Sequence, residues 1–119
     1  MGVETIKLVN KAAIVVKPKQ SFVDWANDFN DGGPTLNLEF ARRDPDVFLV
    51  DDLENEPDKD KVVRKYYKTI FKHELEAWMT DENSWPQKRN LRMFLDWFDV
   101  EICSMVLNLA MDPLWEEPY

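Results

Sequence analysis

The chain has 119 residues, 45% of them hydrophobic and 32% charged, with a formal net charge of -8. That length fits a single domain spanning 1–119, and 7 Phe, 5 Trp and 3 Tyr exclude a disordered polar chain. The acidic balance excludes direct binding of nucleic acid through its phosphates, which needs a basic footprint.

Residues 11–17 are β-branched and apolar on both alternating faces, the pattern of a buried strand closed by Pro18. A helix is expected from Ser21, with Asp24 as a weak capping-box partner and Phe22, Trp25, Ala26 and Phe29 at helical spacing. Turn residues at 30–34 end it. Residues 35–43 are ambiguous: Leu36, Leu38 and Phe40 alternate like a strand, yet Thr35 is equally able to cap a short helix. The break at 42–46 favours the helix, and a strand follows at 47–50.

Residues 51–60 form an acidic connector holding six carboxylates and one lysine. A long helix is expected over 60–79, roughly 30 Å at the standard rise. A turn at 80–83 and a capping box at 84–87, with Pro86 in the first turn, open a further helix. It carries Leu91, Phe94, Leu95 and Phe98 on one stripe. The most apolar strand is expected over 99–109. Segments 1–10 and 112–119 are candidates for flexible tails.

This order predicts an α+β single-domain sandwich, a small mixed or antiparallel sheet of three to four strands with helices packed on it. A ferredoxin-like variant results if 36–40 is extended. The three firm strands are apolar on both faces, so either helices cover both sides of the sheet or a second copy covers one. With so few helices, a homodimer is the expectation.

On the long helix, Val62, Val63, Tyr66, Tyr67, Ile70, Phe71, Ala77 and Trp78 fall within one apolar arc. Lys61, Arg64, Lys65, Lys68 and Lys72 fall within about 100° of one another on the opposite face. Segment 61–72 thus carries five positive charges and no acid, directly after a decapeptide of net charge -5. Such a face is ordinarily a solvated one. Its functional reading is a binding stripe for an acidic protein partner, an anion, or the acidic connector of a second copy.

Residues 73–77 open like a zinc-protease helix, but Ala77 stands where the second histidine is needed and His73 is the only one in the chain. The acidic connector lacks the glycine of a calcium loop and carries Pro57 instead, so no metal is expected. Glu74 falls inside the apolar arc and His73 on its edge. A carboxyl held against aromatic surface has a raised pKa and can act as a general acid, here with Asp99 or Glu101 of the last strand as partners. A bond from Glu74 to a neighbouring indole would end that reading. Cys103, mid-strand in an apolar run, reads as a small buried hydrophobe rather than a nucleophile paired with His73. No nucleophile elbow, glycine-rich phosphate loop or CxxC pair is present, and no cofactor is expected. Trp25 and Trp78 read as core, and Trp85 as a staple. Trp115 and Tyr119 read either as aromatics that dock in a partner's groove or as a tail folded back on the core.

A single cysteine cannot form an intramolecular disulfide, and residues 1–19 lack the layout of a secretory signal. Gly2 follows Met1, but Ile6 occupies the position where myristoylation needs Ser or Thr. The apolar runs are too short for a membrane span. A cytoplasmic protein is therefore expected.

The run Glu76-Ala77-Trp78, then Asp81, Trp85-Pro86, Phe94, Trp97-Phe98-Asp99, Glu101 and Ser104-Met105-Val106 resembles a family of small, acidic bacterial proteins with no assigned activity. With the strand at 47–50 and the acidic connector, the resemblance covers about two-thirds of the chain. It implies a fold and no chemistry. The function expected is a non-enzymatic protein-interaction or regulatory module that self-associates. The alternatives are a small enzyme using Glu74 and His73 with Asp99 or Glu101, and an acidic inhibitor or mimic of nucleic acid.

Overall fold

A computed structural model describes residues 5–29, 32–54 and 58–119. Residues 30–31 of the expected turn, 55–57 of the acidic connector and 1–4 at the start lie outside the described residues. The central strand is β2 (Lys11–Pro18), whose branched side chains favour extended backbone. It pairs antiparallel with β3 (Asp46–Asp51) on one side and β4 (Phe98–Cys103) on the other, in the order β3-β2-β4. A second, two-stranded antiparallel sheet joins β1 (Lys7–Val9) to β5 (Val106–Asn108). With four helices among the described residues, α1 (Gln20–Asn27), α2 (Leu38–Ala41), α3 (Lys59–Trp78) and α4 (Leu91–Trp97), this is an α+β sandwich, as expected.

The register assigns the two faces of the three-stranded sheet. Ala12, Ile14 and Val16 stand beside Val50, Phe48, Ile102 and Val100, and all of these join the helices in one core. Phe71, Phe94, Phe98 and Leu75 are its largest fully buried side chains, with Ile14. Ala13 and Val15 face the other way with Val47, Leu49, Asp99, Glu101 and Cys103. Val47 and Leu49 there are about half exposed. Helices thus cover one face only. The two-faced apolar strands are therefore not explained by helices on both sides of the sheet.

Several local expectations are corrected. Helix α1 starts at Gln20 without a side-chain cap, and Asp24 accepts from Gln20 Nε2 at 2.8 Å instead of capping. Residues 38–41 are helical, capped by Asn37 rather than Thr35, so the ferredoxin-like variant is excluded. The segment at 84–87 does not open a helix. A short 3-10 turn (Glu82–Ser84) ends there, and α4 starts seven residues later at Leu91 because the Asn90 side chain accepts from Met93 N at 2.8 Å. Phe98, read as part of that helical stripe, is the first residue of β4. We expect Asn90→Ala to lose about 1 kcal/mol in urea denaturation. Ser84→Ala should stay within about 0.5 kcal/mol of the parent.

The strand expected over 99–109 is two strands. Between the pair Val9–Val106 and the pair Ala13–Cys103, one strand passes three residues, 10–12, and the other two, 104–105. One extra residue of this kind bends a ribbon and increases its twist. The bend carries β1 and β5 beyond the end of β3, whose pairing with β2 stops at Lys11. Residues 7–9 are therefore a paired strand, not a loose tail. The molecule measures 53 × 36 × 26 Å, with a radius of gyration of 16.8 Å. A compact chain of this length has about 13–14 Å.

Candidate functional site

The long helix runs as its periodicity predicts, with Asp58 accepting from Asp60 N at its start. One departure is Leu75, which lies in the basic arc of the helical wheel yet is completely buried. The segment after α3 folds back over it: Trp85 is buried in the same cluster and donates its Nε1 hydrogen to the carbonyl of Met79 at 2.7 Å. Trp25 and Trp78 likewise donate to backbone carbonyls, of Ser84 and Ala26, each at 3.0 Å. Trp78 nonetheless stays half exposed, so it is a rim residue rather than the core residue its stripe implied.

These three indoles therefore do not cap Glu74. Its partner is Asp46, a residue not singled out by the sequence. Pro45 precedes Asp46, and the register Val16–Asp46 turns its side chain to the sheet face on which α3 packs. Glu74 lies four residues after the buried Ile70 on α3, so it points at the same face. The two carboxyls are hydrogen-bonded. Burial, and then the negative charge of Asp46 and the hydrogen bond to it, push the Glu74 carboxyl from 4.5 up to about 8. At neutral pH Glu74 holds its proton and donates it.

His73 stands beside the pair, its Nε2 3.6 Å from Asp46 Oδ2. Its ring packs edge-on against Phe48 at 5.6 Å and against Tyr119 at 5.1 Å. The end of the C-terminal tail thus folds back onto α3, while Leu114 and Trp115 remain about 70% exposed. Among the described residues, Asp46, His73 and Glu74 are the group whose donor atoms could hold a metal ion, all lying within 4.8 Å of one another. Asp46 and Glu74 also line a cleft of about 480 Å³ between α1, α2, α3 and the sheet. Phe22, Leu36, Phe40, Trp78 and Phe98 form its apolar walls. His73 opens instead into a neighbouring hollow with Tyr119.

The partners expected for Glu74 in the enzyme reading do not reach it. Asp99 and Glu101 lie on the opposite sheet face, where Asp99 is held by Arg42 at 2.7 Å and Lys19 at 3.8 Å. Cys103 is exposed at the end of β4, not buried mid-strand, because the chain bends immediately after it. Lys61, Arg64, Lys65, Lys68 and Lys72 are all exposed along α3. Lys65 reaches Asp51 at 3.7 Å, and the other four make no ion pair among the described residues. No helix among the described residues is long and apolar enough to cross a membrane.

A second surface was missed as a site because residues 99–109 read as an ordinary apolar strand and residues 1–10 as a candidate flexible tail. On the ribbon, Leu8 pairs with Leu107, and Ile6, Met105 and Leu109 flank its strands. All five are more than half exposed, as are Met111, Leu114 and Trp115 in the chain that follows.

No family model matches this chain, and neither a curated protein nor a solved structure does.

Proposed function

We propose that this protein is a non-enzymatic interaction module that associates with a second copy of itself through the β1–β5 ribbon. The apolar side of that ribbon carries the reading. Isolated two-stranded ribbons are marginal in water, and large contiguous apolar patches on soluble proteins mark interaction surfaces. This one has its hydrophobic side chains uncovered. Pairing with its counterpart in a second copy covers Leu8 and Leu107 and supplies the strand edges with partners. The half-exposed Val47 and Leu49 on the open sheet face extend the apolar surface available to that copy.

Light scattering at micromolar concentration should give twice the 14.1 kDa chain mass. Leu8→Glu combined with Leu107→Glu should give the monomer mass with an unchanged circular dichroism spectrum, since neither residue belongs to the core. A monomeric parent protein defeats the reading. Reversal of Lys65 and Lys68 to Glu should leave the dimer mass unaltered. Dissociation by that reversal, with the ribbon variant still dimeric, would move the interface to the basic face of α3.

A further inference from the structure

We propose that the cleft between α1, α2 and α3 binds an amphipathic organic amine, its ammonium held by Asp46 and Glu74 and its apolar body by the aromatic walls. The site is separate from the ribbon, and the two proposals stand or fall independently. At about 480 Å³ the cleft lies within the range of roughly 300–1,000 Å³ that accommodates small molecules. Its lining is hydrocarbon and aromatic except for Arg43, Asp44, Asp46 and Glu74, three acids against one base. Arg43 is already occupied: its guanidinium lies 3.5 Å from the Glu39 carboxylate and 5.8 Å from the centre of the Phe40 ring. What remains for a ligand is the adjacent carboxyl pair of Asp46 and Glu74 beside an apolar chamber, with Asp44 also on the lining.

That combination selects the ligand's chemistry. An ammonium offers three donors to the two carboxyls and relieves the repulsion that arises when both are ionised. Phe40 and Trp78 line the cleft and are partly exposed at its rim, and aromatic rings attract a cation through the quadrupole of the π system. A carboxylic acid would be repelled, and a neutral analogue would bring no charge to the carboxyl pair. A bare metal ion would also draw on His73, but it would leave the apolar walls uncovered, and His73 does not open into this cleft.

The test is calorimetric titration of the full chain at pH 8 with phenethylamine, 2-phenylethanol and 3-phenylpropionate. The amine should bind at one site and alter tryptophan emission through Trp78. The alcohol should bind at least tenfold more weakly, and the acid not at all. Glu74→Gln and Asp46→Asn should each weaken amine binding at least tenfold, with folding checked by circular dichroism. Asp99→Asn and the ribbon variant should bind as the parent does. Equal binding of alcohol or acid, no amine binding at millimolar concentration, or full binding by both carboxyl variants overturns the proposal. So does stoichiometric uptake of Zn²⁺ that is lost in His73→Ala and excludes the amine, because the pair would then be a metal centre.

Discussion

Glu74→Gln is expected to stabilise this protein at pH 8 and to leave it close to the parent at pH 5. The Glu74 carboxyl titrates at about 8 in the folded chain against 4.5 for an unperturbed glutamate. Below 4.5 both folded and unfolded states hold the proton, and the stability linked to this group is fully present. Between 4.5 and 8 the unfolded state ionises while the folded state does not. Unfolding then becomes easier by about 1.4 kcal/mol for each pH unit. Above 8 the folded state ionises too, and the loss levels off. The full shift corresponds to about 5 kcal/mol, and water reaching the open cleft screens part of it, leaving about 2–4 kcal/mol. Glutamine retains a donor for Asp46 and cannot ionise, so it removes the loss. Thermal melts of both proteins at pH 5 and pH 8 decide this. A gain on the order of 10 °C confined to the higher pH is expected. An equal shift at both pH values, or none, would show that proton binding by Glu74 is not linked to folding.

Phe94→Ala is expected to cost about 3–5 kcal/mol, a large share of the roughly 5–15 kcal/mol that stabilises a domain. Its side chain is completely buried, and its ring lies 6.0 Å from Tyr67, 5.6 Å from Phe71 and 5.3 Å from Phe98. Those partners come from α3 and β4, so truncation opens a cavity where helix, helix and sheet meet. Leu95, the next residue, is 41% exposed. Leu95→Ala should cost about 1 kcal/mol or less. Urea denaturation of the two variants separates residues that a helical wheel treats alike, and equal losses would count against this picture of the core.

Elements whose reason is local were legible. The β-branched run of β2 and the apolar and basic arcs of α3 lie where their periodicities place them, because a strand or long amphipathic helix reveals its period within its own residues. The short helix after Asn37 was legible as a preference only. Boundaries were less so: the first turn of α4 depends on the Asn90 side chain, while Ser84 and Pro86 present a similar pattern six and four residues earlier. The burial of Leu75 is not legible on the wheel, which cannot know that residues 79–85 return over the end of the helix.

The candidate site divides in the same way. Glu74 stands out in the sequence as a carboxylate in an apolar arc, and His73 on its edge. Asp46 does not stand out, because one acid among the Arg42–Asp46 charges has no local mark, and only the pairing of β3 with β2 brings it to Glu74. The same pairing turns Asp99 and Glu101 to the far side of the sheet. The alternation of a single strand says which residues share a face, but not which face meets a helix.

By itself, then, the sequence determined an acidic chain of one α+β domain, its main periodic elements, and an unusual glutamate on the buried arc of its longest helix. Charge count and side-chain periodicity are properties of a segment and survive without any neighbour. The tertiary structure alone decided that helices cover one sheet face, that β1 and β5 pair as a ribbon with exposed apolar side chains, and that Asp46 joins Glu74 at an apolar cleft. Each depends on register between segments far apart in the chain. A shift of one residue in that register would exchange the two faces of a strand and undo all three.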